Sequence, residues 1–139
     1  MNRNNDPKVT FESDDKICAG RTRLIRYAVD ELGVPYVRAF ILSLLPSERA
    51  KIHALIQRLA DIGQIHNEQQ FKKEQGNVFA FKAGQVRIAC FLDGGDWFLT
   101  NGFKKKKSKW PSAEMEKCET IRTKHMNKVA ASPTTSKKP

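Results

Sequence analysis

A chain of 139 residues with 40% hydrophobic side chains can bury one modest core, and it carries a formal charge of +10. Cys18, Cys90 and Cys118 show no CxxC spacing and His53, His66 and His125 no ligand spacing, which excludes a disulfide framework and a zinc site. No apolar run reaches the roughly 18 residues of a membrane span, and the N-terminus lacks an apolar signal segment, so a cytoplasmic chain without membrane contact is expected.

Residues 1–20 are polar, mixed in charge and poor in periodic apolar positions, and are expected to form a disordered extension. A folded domain is expected over 21–128, with 129–139 as a flexible polar tail. "RTRLIRYAVD" offers Leu24, Ile25, Tyr27 and Val29 to a first strand, which "ELGVP" breaks. "YVRAFILSLL" reads as a short helix stopped near Pro46. In "SERAKIHALIQRLADIG", Ile52, Leu55, Ile56, Leu59 and Ile62 recur at helical spacing. Ser47 is expected to cap that helix and Gly63 to end it, with His53 at its surface or boundary.

From Asn77 the period changes to two. Phe79 and Phe81, then Val86, Ile88, Cys90 and Leu92, alternate with the residues between them, and "DGGD" leads into a third strand. Pairing Phe81 with Val86 and Phe79 with Ile88 gathers the apolar side chains on one face, and a one-residue slip would mix the faces. Lys82 and Arg87 then project together from the other face as diagonal neighbours. "WPSAEMEKCETIRTKHM" closes the order as a helix with Pro111 in its first turn, acidic residues early and basic residues late. Met115, Cys118, Ile121 or the stem of Arg122, and His125 mark its expected buried stripe. Strand, helix, helix, three strands, helix is an α+β order: a small antiparallel twisted sheet with helices on one face.

The charge is one-sided. Residues 71–139 carry +9, against −1 for residues 1–20 and +2 for residues 21–70, and five lysines fall between 104 and 109. Such a field attracts nucleic acid or an acidic protein.

The run from about Tyr27 to His125 resembles the RelE/HigB superfamily of toxins, in its phage-derived, HigB-like branch. "VPYVRAFILSLLPSERAKIHALIQRLADIG" is similar to that family's paired helices. "FKKEQGNVFAFKAGQVRIACFLDGGDWFLTNGFKKKKSKWP" is similar to its strand block ending in Gly-Phe, basic residues and a proline. Arg87 stands at the arginine of its "GRIF" segment, Gly102 and Phe103 at its "GF", Lys105, Lys106 and Lys109 at its following lysines, and Pro111 at its proline. Lys73 falls near the lysine of "KLKG". Lys82 replaces an arginine, Phe81 a leucine and Asn101 a histidine; lysine at 82 keeps the charge but not the bidentate fork.

The resemblance implies the toxin of a type II toxin–antitoxin pair that cleaves messenger RNA on the ribosome without a metal or other cofactor, and so inhibits translation. It also implies a cognate helix-turn-helix antitoxin, with DNA approached only through that complex. RNA carries its own nucleophile, the 2′-hydroxyl, so the protein's tasks are orientation, proton transfer and charge stabilisation. Lys73, Lys82, Arg87, Lys105 and Lys106 are the candidates for catalysis. Lys72, Lys104, Lys107 and Lys109 are candidates for flanking phosphates, and Trp110 for stacking on a base. A non-catalytic gyrase inhibitor like the ParE branch, or an inactive phage-derived nucleic-acid-binding module, is the alternative.

Overall fold

The computed structural model describes residues 16–106 and 109–131. The element order is β1 (Lys16–Ala19), β2 (Leu24–Tyr27), α1 (Arg38–Ser43), α2 (Pro46–Ile62), β3 (Phe71–Gln75), β4 (Val78–Ala83), β5 (Val86–Asp93), β6 (Asp96–Lys104) and α3 (Ser112–Ala131). The six strands form one sheet in the order β1-β2-β6-β5-β4-β3. The expected α+β architecture is present, and the three central strands, both long helices and the short α1 fall where the periodicity places them.

Several details differ. The sheet is mixed, because β2 runs parallel to β6, while its other pairings are antiparallel. Two edge strands go beyond the expected set. β1 lies ahead of the expected domain start at residue 21, and β3 has only Phe71 buried, so β3 lacks the alternation that betrays a strand. Helices also cover both faces. α1 and α2 pack on the face of Phe81, Ile88 and Leu99, whereas α3 sets Ile121 against Phe91 and Phe98, and Cys118 against Val78 and Ala89, on the opposite face. Helix α3 runs three residues past the expected boundary, to Ala131. Residues 1–15 and 132–139 lie outside the described residues.

At the start of α2, Pro46 rather than Ser47 opens the helix. Leu45 takes the capping position, and its backbone N–H donates to Glu48 Oε1 at 2.9 Å. Gly63 ends the helix as expected, in a left-handed conformation with φ 90. His53 is buried, not on the surface. His125 does pack inward, and its Nε2 also lies 3.0 Å from Asp93 Oδ2, tying α3 to the turn between β5 and β6.

The hairpin of β4 and β5 keeps the expected faces but moves the register by two residues. Phe81 pairs with Ile88, Phe79 with Cys90, and Lys82 directly with Arg87. The two-residue Gly84–Gln85 turn sets this, with Gly84 at φ 60 supplying the positive φ that such tight turns need. Phe79 and Phe81 then join a ring cluster in which Phe71 lies 4.9 Å from Phe81 and 5.2 Å from Trp97.

Strand β6 carries the Gly-Phe pair, and its two residues face opposite ways. A β-carbon on Gly102 would come within 2.2 Å of Phe40 Cδ2, so the glycine is what lets α1 lie down on the sheet. Phe103 turns to the other face, opposite Arg87 on β5. Gly102→Ala is expected to lower stability by about 1–3 kcal/mol through overpacking, measured by urea denaturation. Combined with Phe40→Leu, the loss should be smaller than the sum of the two single changes, because one clash underlies both.

Candidate nucleic-acid interface

Period-two alternation leaves one sheet face with Ala80, Lys82, Arg87 and Phe103, and α3 covers only part of it. Lys82 and Arg87 sit directly opposite, which puts their β-carbons about 5 Å apart. Between the sheet and the first turns of α3 lies an open cleft of about 660 Å³.

Four lysines line that cleft: Lys72 from β3, Lys82 from β4, and Lys105 and Lys109 from the connecting segment. Trp110 forms part of the wall. Its ring meets Phe103 edge-on, with centroids 4.7 Å apart and planes at 79°, so Phe103 braces it from the sheet. Two carboxylates share the cleft, Glu74 from β3 and Glu116 from α3. Sequence reading missed both. Glu74 belongs to a strand with no period, and Glu116 reads as an ordinary acidic residue near a helix N-terminus.

The electrostatics follow from that crowding. Burial pushes the Lys82 pKa below that of an ordinary lysine, Arg87, Lys72 and Lys105 push it further down, and Glu74 opposes them. Burial also lowers the pKa of Arg87, with Glu74 again opposing. Lys82 Nζ donates to the Glu68 carbonyl at 2.9 Å. The Arg87 guanidinium curls back onto its own hairpin, Nη1 donating to the Gly84 carbonyl at 2.6 Å and to the Val86 carbonyl at 3.0 Å. Arg87 therefore stands beside the cleft on the same face but is not part of its wall.

Three other candidates are not gathered here. Lys73 pairs with Phe79, on the face turned toward α2, because alternation sends it opposite to Lys72. Lys104 pairs with Val86 on that same face, and its Nζ lies 3.1 Å from Glu48 Oε2, joining the end of β6 to the first turn of α2. Lys106 is exposed and outside the cleft wall. Lys107 lies outside the described residues.

Asn101 has a structural role in this fold. A bulge between the pairs of Ile88 and Cys90 sets Thr100 and Asn101 against β5 together. Buried Asn101 donates from Nδ2 to the Glu114 carbonyl at 3.2 Å and to Glu114 Oε1 at 3.0 Å, and the Thr100 hydroxyl lies 2.7 Å from its Oδ1. These bonds anchor the first turn of α3, and with it the far wall of the cleft.

Among the described residues no three His, Cys, Asp or Glu side chains form a group suited to a metal ion, and no helix is long and apolar enough to cross a membrane. The model of the phage-derived protein Gp49-like family (DUF891) matches residues 39–123, which includes β4, β5, β6, the lysine segment and most of α3. The chain belongs to that family. Gp49-like proteins are a RelE/HigB-like toxin family, and the sheet with its flanking helices agrees with that assignment. A comparison with curated proteins finds no match to this chain.

Anion binding in the cleft should weaken as pH rises through the lowered pKa of Lys82, which contributes its charge below that value and loses it above. Titrating inorganic phosphate from about pH 8 to 10.5, Lys82→Arg should hold its affinity to higher pH than the unaltered protein, since a guanidinium stays charged throughout.

Proposed function

We propose that this Gp49-like protein is the toxin of a toxin–antitoxin pair and that it cleaves messenger RNA on the ribosome. The observation that carries this reading is the solvent-open cleft in which Lys72, Lys82, Lys105 and Lys109 converge beside an aromatic ring. Convergent cations on an uncovered sheet face suit a ribose-phosphate chain, whose phosphate charges they neutralise while the ring stacks on a base.

In the proposed reaction the substrate's 2′-oxygen attacks the adjacent phosphorus and the bond from phosphorus to the 5′-oxygen breaks. The products are a 2′,3′-cyclic phosphate and a 5′-hydroxyl. One proton leaves the 2′-hydroxyl and one reaches the departing 5′-oxygen. Lys82 suits proton exchange, because a lysine with a lowered pKa yields its proton nearer neutral pH. Lys105 stabilises charge on the phosphoryl oxygens. Arg87 swings from the hairpin carbonyls onto the phosphate, exchanging two neutral acceptors for a charged one, a stronger bond for a guanidinium. Lys72 and Lys109 hold flanking phosphates, and a small helix-turn-helix antitoxin encoded alongside shields the face when the toxin is neutralised.

The inward turn of Arg87, with lysine at position 82, favours one other reading: a module that grips its target on this face without cutting. Expression in growing bacteria followed by primer extension on cellular messages separates the two. Cleavage within translated codons is the expected result, and intact transcripts during growth arrest would discard the nuclease. Arg87→Ala should slow cleavage about a hundredfold, the typical loss of one charge-stabilising donor, and relieve growth arrest, with the fold intact by circular dichroism.

A further inference from the structure

Carboxylates repel phosphate, yet the exposed Glu116 lines this cleft as well as the neighbouring groove beside Phe40 and Gly102. Its neighbours on α3 are otherwise engaged: Glu114 accepts from Asn101 and lies 3.9 Å from Lys117, and Glu119 lies 3.7 Å from Arg122. Glu116 has neither an ion pair nor a hydrogen bond to another described residue. It shares the cleft wall with Met115 and Trp110, two side chains partly buried against Val78, Ala89 and Cys118, and the Trp110 indole N–H is buried. An aromatic surface, a thioether and a free carboxylate beside a lysine cluster are what a nucleobase needs: a stacking platform and an acceptor for the hydrogens on its edge.

We infer that the Trp110–Glu116 wall is a base-reading subsite that selects an amino-bearing base, adenine, guanine or cytosine, over uracil. A carboxylate only accepts hydrogen bonds. Each of those three bases presents an exocyclic amino group, whereas uracil flanks its single N–H with two carbonyl oxygens that a carboxylate repels. Glu74 differs in role: it acts on Lys82 and Arg87, and so tunes the grip on phosphate whatever the base. This deepens the nuclease reading and rests on it, since it supplies the cut with a preferred neighbour.

The test is binding, not cleavage. The purified chain is titrated with the four ribonucleoside 3′-monophosphates and with inorganic phosphate, followed by NMR. Uridine 3′-monophosphate should bind about tenfold more weakly than the best of the other three, the scale of one hydrogen bond to a charged group. Glu116→Gln should shrink that gap below about twofold, because an amide can also donate to uracil. Glu74→Gln should shift all four nucleotides and phosphate together. Trp110→Ala should bring nucleotides down to the affinity of phosphate, and Trp110→Phe, which keeps a stacking ring and guards against a folding defect, should preserve the ranking. If phosphate binds but the four nucleotides bind alike, or Glu116→Gln leaves the ranking unchanged, the base-reading subsite is overturned while the nuclease reading stands. If neither phosphate nor nucleotide binds, both fall.

Discussion

The pairing of β4 with β5 is the constraint on which the rest of this fold depends. Phe79, Phe81, Val86, Ile88 and Cys90 must all enter the layer under α1 and α2, and side chains alternate strictly along a strand. Once they do, Lys82 and Arg87 have no choice of face. Burying the apolar set and assembling the cationic pair are one event, since a slip of one residue would turn one strand's apolar set to the other face and carry Lys82 or Arg87 into the core. The tight Gly84–Gln85 turn then decides how those charges meet, directly opposite instead of diagonally. Desolvation, reinforced by repulsion from the cation opposite, makes Lys82 a weaker base than an ordinary lysine.

Strand β6 extends the same two-sided logic to its Gly-Phe pair. Gly102 has no side chain because Phe40 occupies the space one would fill, and Phe103 has a large one because it holds Trp110 edge-on at the cleft. Neither residue needs to touch a substrate to be required. Asn101 works similarly from the bulge, holding α3 by its first turn so that Glu116 and Met115 face the lysines. Lys104, though part of the lysine run, serves the other side of the sheet through Glu48. The described lysines of that run thus divide: Lys105 and Lys109 line the cleft, Lys104 pairs with Glu48, and Lys106 does neither.

Charge is therefore sorted by position in the fold. Of the residues gathered at the cleft, the lysines come from three separate segments and the carboxylates from two elements 42 positions apart in the chain (Glu74 and Glu116). Under the proposed reading, opposite charges at fixed positions would let such a cleft discriminate between the phosphate and the base of one nucleotide.

Read alone, the chain shows its central strands, its two long helices, the common face of Lys82 and Arg87, and the toxin-like segment from Gly102 to Pro111. These follow from local periodicity and from residues adjacent in sequence. What it does not show is β1 and β3, the parallel contact of β2 with β6, the second covered face, and the commitments of Lys73 and Lys104 away from the cleft. Edge strands draw their stability from a neighbour already in place, so β3 needs no pattern of its own beyond Phe71. The membership of the cleft is likewise a property of three dimensions: Glu74 and Glu116 carry no motif, and only the packing of α3 over a sheet bulge brings them to the same lysines. Local pattern determined which side chains share a face, and long-range packing decided which of them share a site.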